Sequence, residues 1–293
     1  MHIVAIGEIL WDIFGAEEHL GGAPFNFAAH AARLGCRVEM LSAVGTDDRG
    51  RRALVAAESL GVSTRLVRTV ESPATGSVTV TVDDLGQPDY VIHRPAAYDT
   101  VALSDRDVAA LATDPPDWVY FGTLLQMAPS ARAVTLKFLE AAPGANRLYD
   151  INLRKNSYSR ELLAKLLPLA TVLKVNVDEA AELQRLFGEP ETDVQTFARE
   201  YATRFGYTGV CVTLGADGCF VLWNGEETSA RGYSTVVTDA VGAGDAFAAA
   251  FLHGVSSGWP IEETADFANR VGALVASRAG AVPEWTVDEA WAL

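Results

Sequence analysis

Val237-Thr238-Asp239-Ala240-Val241-Gly242-Ala243-Gly244-Asp245-Ala246-Phe247 is the stretch on which the reading of this chain turns. The β-branched run Thr235 to Thr238 predicts a strand leading into it. Gly242, Ala243 and Gly244 predict a tight turn, and Ala246 to Val255 is a run of good helix formers. Strand, turn and helix in that order leave the N–H groups of Gly242 to Asp245 at a helix N-terminus, where they can hold an anion. Asp245 falls in the first helical turn beside that anion hole, placed to take a proton from an attacking hydroxyl. No Gly-Lys-Ser/Thr follows, so this is not a Walker A loop. The competing reading is that the helix dipole alone favours an aspartate in a first turn.

Composition narrows the setting. The 293 residues suffice for one large α/β domain, and 49% hydrophobic with 21% charged residues describes a globular chain with a substantial core. A formal net charge of −15 argues against nucleic-acid and anionic-membrane partners, so any phosphate site must be positive locally. Cys36, Cys211 and Cys219 form no CxxC pair, and no signal peptide is recognised, so a reduced, cytoplasmic setting is expected. No apolar stretch reaches the roughly 18 residues of a membrane span.

Outward from the central stretch, strand and helix patterns alternate. His2 to Leu10 reads as one strand buried on both faces, and it lacks the Gly-x-Gly-x-x-Gly of a dinucleotide site. Asp12 follows, then Gly21-Gly22 feeds a helix that carries Asn26 and stops at Gly35. Val38 to Val44 is a second strand, and the helix after it begins at the acidic pair Asp47 and Asp48. Between about 65 and 99 short alternating runs flank Asp83-Asp84-Leu-Gly86-Gln-Pro88, an antiparallel hairpin with a polar turn. Ile13 to Leu20 is a further short strand. Trp118 to Phe121, Arg147 to Tyr149 and Thr171 to Val175 are strands, Ala131 to Ala141 and Ala265 to Arg278 are helices, and Gly209 to Trp223 is a hairpin. Such alternation predicts a doubly wound, mostly parallel sheet with helices on both faces, a single α/β domain over 1–293. Ligands in such sheets sit at the carboxyl ends of strands, where Asp150-Ile-Asn152-Leu-Arg154 and Asn176-Val-Asp178-Glu179 fall.

These motifs, in this order, resemble the ribokinase-like (PfkB) sugar kinases. Asp239 to Phe247 is similar to their C-terminal signature Asp-Thr-x-Gly-Ala-Gly-Asp-x-Phe, with Ala240 where threonine is usual. Gly21, Gly22 and Asn26 resemble the sugar motif Gly-Gly-x-x-x-Asn, with Asp12 on the preceding strand end, and Gly45 to Gly50 resembles Gly-x-Asp-x-x-Gly. The resemblance implies an ATP-dependent sugar kinase with Asp245 as base and Gly242, Ala243 and Gly244 as anion hole. Asp12, Gly21, Gly22 and Asn26 would bind sugar. Arg154, in a segment similar to fructokinase-type members, would reach sugar or phosphate. Asn176 and Glu179 resemble Asn-x-x-Glu, linked to Mg²⁺ through water; a capped helix start explains them equally. Thr213, Gly215 and Gly218 resemble a nucleotide loop, although as a hairpin they need no function. Asn269 falls at an adenine-pocket position, and Asp239 with Ser277 to Ala281 implies a monovalent-cation (K⁺) site. The pieces at about 13–20 and 65–99 imply a β lid that excludes water, and a homodimer through it. Fructose is the expected substrate. Ribose, 2-keto-3-deoxygluconate or a nucleoside, and a non-catalytic sugar sensor, are the alternatives.

Overall fold

The structure is a computed structural model that describes residues 1–82 and 88–293. The expected turn Asp83-Asp84-Leu-Gly86-Gln lies outside the described residues. In chain order the strands are β1 (His2–Ile6), β2 (Leu10–Phe14), β3 (Glu17–Gly21), β4 (Arg37–Gly45), β5 (Val62–Ser63), β6 (Val67–Val70), β7 (Gly76–Val82) and β8 (Pro88–His93). They continue with β9 (Trp118–Phe121), β10 (Asn146–Asp150), β11 (Val172–Asn176), β12 (Gly209–Thr213), β13 (Gly218–Trp223) and β14 (Glu226–Arg231). The helices are α1 (Ala23–Arg33), α2 (Asp48–Ser59), α3 (Asp105–Thr113), α4 (Pro129–Ala141), α5 (Arg160–Leu166), α6 (Val177–Phe187), α7 (Val194–Phe205), α8 (Ala243–Ser256), α9 (Ile261–Ala276) and α10 (Val287–Ala292).

The main sheet runs β14-β13-β12-β11-β10-β9-β1-β4-β5, with β6 also paired to β4. The pairings from β12 to β5 are parallel, and β13 runs antiparallel to both its neighbours, β12 and β14. Strand alternation sends successive side chains to opposite faces, which is why one sheet builds two cores. Ile3, Ala5, Trp118, Tyr120 and Val172 join α1, α8 and α9 on one face. Val4, Ile6, Val119, Phe121 and Leu173 join α4, α5 and α7 on the other. The expected doubly wound, mostly parallel fold is therefore what the chain forms.

A second sheet, β3-β2-β7-β8, stands apart from the first. Its composition corrects three expectations. His2 to Leu10 is not one strand: β1 ends at Ile6, and Leu10 pairs with Gly21 and Gly76 in the small sheet. Both sheets bury their residues here, so an apolar run could not mark the change. Ile13 to Leu20 is two strands of a hairpin, and of the span 65–99, Val67–Val70 pairs with β4 in the main sheet. Thr235 to Thr238 forms no strand; the N–H groups of Thr238 and Asp239 both donate to the Ala276 carbonyl at the end of α9, and Val236 and Val237 are exposed. β-Branched residues favour a pleated surface only where a partner strand exists to pair with them.

The first helix is bolted to the far end of the chain. His30, fully buried on α1, donates from Nε2 to the Ala281 carbonyl at 3.0 Å and accepts from Trp285 Nε1 at 3.1 Å. A carbonyl needs a donor and an indole N–H needs an acceptor, so the ring is the neutral Nε2–H tautomer. Burial pushes its pKa down to about 4 from the ordinary 6.5. A histidine whose folded-state pKa is depressed contributes stability above the unfolded value that is lost as pH falls through the folded one. Thermal melts of the wild type are therefore expected to fall between about pH 6.5 and pH 4 more steeply than those of His30→Asn. Parallel acid limbs in the two proteins would remove His30 from the account.

Candidate active site

The carboxyl ends of β10, β11 and β12, the small sheet and the start of α8 surround a cavity of about 1050 Å³. The chain reaches it at Gly242, whose φ of 82° favours glycine and whose Cβ, were there one, would lie 2.2 Å from the Ala281 carbonyl oxygen. With glycine as its N-cap, α8 has no side-chain cap and starts as a bare N-terminus. Among the described residues the N–H groups of Gly242, Gly244 and Asp245 find no partner, whereas that of Ala243 makes a long bond of 3.4 Å to Ala240. The first turn thus presents backbone donors and the positive end of the helix dipole.

Asp245 is buried at this point. Asn26 Nδ2, from the first turn of α1, donates to its Oδ2 at 2.9 Å across 219 residues of sequence. Burial pushes the Asp245 carboxyl up to about 6 and the neighbouring Asp150 adds to this, while the Asn26 bond, Lys174 and Arg154 oppose it. A carboxylate poised near 6 is basic enough to accept a proton and still largely ionised at neutral pH. Behind it, Lys174 Nζ donates to both oxygens of Asp150 at 3.0 and 2.9 Å, and Tyr120 Oη donates to Asp150 Oδ2 at 3.1 Å. Burial pulls the lysine pKa down, but Asp150, Glu179 and Asp245 outweigh it and hold the ammonium above its ordinary value. A Cβ on Gly244 would sit 3.5 Å from that ammonium, so the one buried cation of the cluster stands beside the bare helix end.

Glu179 accepts from Asn176 N through Oε2 and from Leu153 N through Oε1, both at 2.8 Å, and Asn176 Oδ1 accepts from Glu179 N at 2.8 Å. This is a reciprocal cap on α6 that also pins the loop carrying Asn152 and Arg154. Burial raises the Glu179 pKa and Lys174 opposes the rise. Asp12 lies in the middle of β2 rather than at the end of a core strand, opposite His19. Its pKa is pushed to about 6 by burial, against Arg154 and His19. Asp239 accepts from Val241 N at 3.0 Å and Gly280 N at 3.1 Å, tying the 277–281 segment to the turn before α8.

Of the residues singled out in the sequence, Asp12, Gly22, Asn26, Arg154, Asn176, Glu179, Thr213, Asp239, Gly242, Gly244 and Asp245 line the one cavity. Gly21, Ala243, Gly215, Gly218 and Asn269 do not line it. Asn269 donates to the Ala230 carbonyl at 3.2 Å, joining α9 to β14. Among the cavity residues that escaped the sequence reading are Lys174 and Glu8, each a charged residue inside a run that reads as a buried strand. A charge that breaks such a run is a usable signal, because burying it demands a partner or a function.

Removing Lys174 alone strands a buried carboxylate. Lys174→Met is expected to lower unfolding stability by about 3 to 5 kcal/mol, and Lys174→Met with Asp150→Asn to recover much of it. Denaturant titration of the three proteins checks this, and an undiminished single variant would mean that water reaches Asp150.

The sequence profile of the pfkB family carbohydrate kinases matches residues 7–287. A 2-dehydro-3-deoxygalactonokinase of Haloferax volcanii is 29% identical, over 97% of this chain and 90% of its own. A fructokinase of Escherichia coli is 29% identical, over 89% of this chain and 87% of its own. The crystal structure of an uncharacterized sugar kinase from Pyrococcus horikoshii in complex with ATP superposes with a TM-score of 0.83 at 26% identity, covering 98% of this chain and 96% of that one.

Proposed function

Because the chain belongs to the pfkB family of carbohydrate kinases, we propose that it transfers the γ-phosphate of ATP to a hydroxyl of a neutral hexose, fructose first, with Asp245 as general base. The observation that carries this reading is the pairing of Asp245 with Asn26 beside the unpartnered N–H groups of Gly242 and Gly244. Asn26 occupies Oδ2 and orients the carboxylate, so Oδ1 takes the proton of the attacking hydroxyl. The N–H groups of α8 and the Lys174 ammonium face the charge that gathers on the transferred phosphoryl group. Arg154, whose charge acts on both Asp12 and Asp245, bridges sugar and phosphate.

The donor set fits Mg²⁺ only through water. Both Glu179 oxygens already accept backbone N–H groups, and Asn176 and Glu179 line the cavity together. When bound with ATP the ion supplies charge neutralisation between the phosphates. A K⁺ site at Asp239 and 277–281 belongs to the same reading, with Asp239 ordering that segment through Gly280. The small sheet acts as lid, and its exposed Phe14, Tyr90 and Val91 support a homodimer through it.

Charge favours a neutral sugar. Arg94, the lid-side arginine, is engaged by Asp99 and donates to the Leu124 carbonyl at 2.8 Å, which leaves the carboxyls of Asp12 and Asp245 facing Arg154. A second reading, a 2-keto-3-deoxy sugar acid, is favoured by the Haloferax relative and by Arg154 and Lys155 on the cavity wall.

Asp245→Asn is expected to lower kcat by about 10² to 10⁴, with ATP and sugar affinity kept. In the wild type kcat/KM should fall as pH drops below about 6, where Asp245 takes up a proton. An Asn variant with wild-type turnover would leave Asp245 as scaffold. A panel of fructose, ribose, 2-keto-3-deoxygluconate and a nucleoside ranks the substrates. Sugar acid ahead of fructose by about tenfold, 1.4 kcal/mol or so in transition-state binding, would replace the first reading with the second.

A further inference from the structure

The link between the two sheets is three residues long, Gly7 to Ile9, and its middle residue is a buried glutamate. Glu8 is 5% exposed, lines the cavity, and its Oε2 has no hydrogen-bond partner among the described residues. Asn26 Oδ1 is in the same condition on the same cavity. A buried carboxyl oxygen without a partner is costly, and such atoms call for a ligand or water that completes them. The position is rigid. Gly22, with φ 108°, packs so closely on the link that a Cβ would fall 2.5 Å from the Glu8 carbonyl oxygen, and Gly22 is the N-cap of the helix that carries Asn26. Glu8, Asn26 and Asp245 are thereby held in series.

We propose that Glu8 is a specificity-determining residue of the acceptor site, bonding a hydroxyl of a neutral sugar and repelling the carboxylate of a sugar acid. This rests on the kinase reading above. Burial raises the Glu8 pKa to about 7, Asp245 adds to the rise, and Arg154 and Arg94 oppose it. The phenols of Tyr98 and Tyr120 also feel its charge. In either protonation state Glu8 can bond a hydroxyl, which donates and accepts. A substrate carboxylate only accepts, so ionised Glu8 cannot bond it, and above about pH 7 it would join the charges of Glu8, Asp12 and Asp245.

Glu8→Ala and Glu8→Gln, compared with wild type on fructose and 2-keto-3-deoxygluconate, test this. Glu8→Ala should raise the fructose KM on the order of ten- to a hundredfold and leave the KM for ATP near wild type. Glu8→Gln, which keeps the hydrogen bond and loses the charge, should restore most of the fructose KM. It should also raise kcat/KM for the acid relative to fructose by about tenfold or more. Calorimetric titration of fructose in the presence of a non-hydrolysable ATP analogue reads the same loss without turnover and shows whether each variant is folded. An unchanged fructose KM in Glu8→Ala, or an unchanged acid-to-fructose ratio in Glu8→Gln, overturns the assignment while phosphotransfer stands. A wild type that prefers the acid overturns the repulsion. A wild type that neither phosphorylates nor binds any sugar overturns the kinase reading and this inference with it.

Discussion

One hydrogen bond, from Asn26 to Asp245, sets the conditions for most of what surrounds it. Asp245 must be buried at the start of α8, and a buried carboxylate without a partner is unstable. Asn26 satisfies one of its oxygens only if α1 lies against α8, on the same face of the main sheet. That placement brings Phe27 onto Tyr120, ring centroids 3.9 Å apart, and Tyr120 reaches Asp150. Asp150 holds Lys174, and Lys174 returns to the backbone of α8 at Gly244. The contacts close into a ring around the floor of the cavity, so no member can shift alone.

The ring also sorts charge. In a chain with a net charge of −15, one part of the cavity wall is locally positive. There the bare N-terminus of α8 stands next to the Lys174 ammonium. At the other end Glu8 and Asp12 are carboxyls whose pKa values burial raises towards neutrality. A phosphate favours the first environment, and a ring of hydroxyls favours the second.

Much of this was legible in the sequence, for physical reasons that differ from residue to residue. The turn at Gly242 to Gly244 and the carboxylate after it could be read because local chemistry dictates both. Strand β9 could be read because double-sided burial leaves an unbroken apolar run. The same rule failed at Leu10, where the run continues although the chain has changed sheets, and at Thr235 to Thr238, where β-branching had no partner strand. Lys174 and Glu8 were absorbed into the runs around them. Their meaning depends on Asp150 and on the cavity, and neither is local. The reciprocal cap at Asn176 and Glu179 shows the opposite case, in which one set of bonds serves helix start and cavity wall together.

The distances along the chain between partners in this ring have a consequence for synthesis. Asn26 meets Asp245 across 219 residues, and His30 meets Trp285 across 255. A nascent chain emerging from the ribosome therefore carries α1 long before anything exists to cover its inner face or to share its hydrogen bonds. Until α8 and the segment around Ala281 have been made, there is no bare helix N-terminus, no oriented carboxylate and no closed cavity. An incomplete chain thus lacks the site, and its exposed α1 face is the surface that chaperones would meet first.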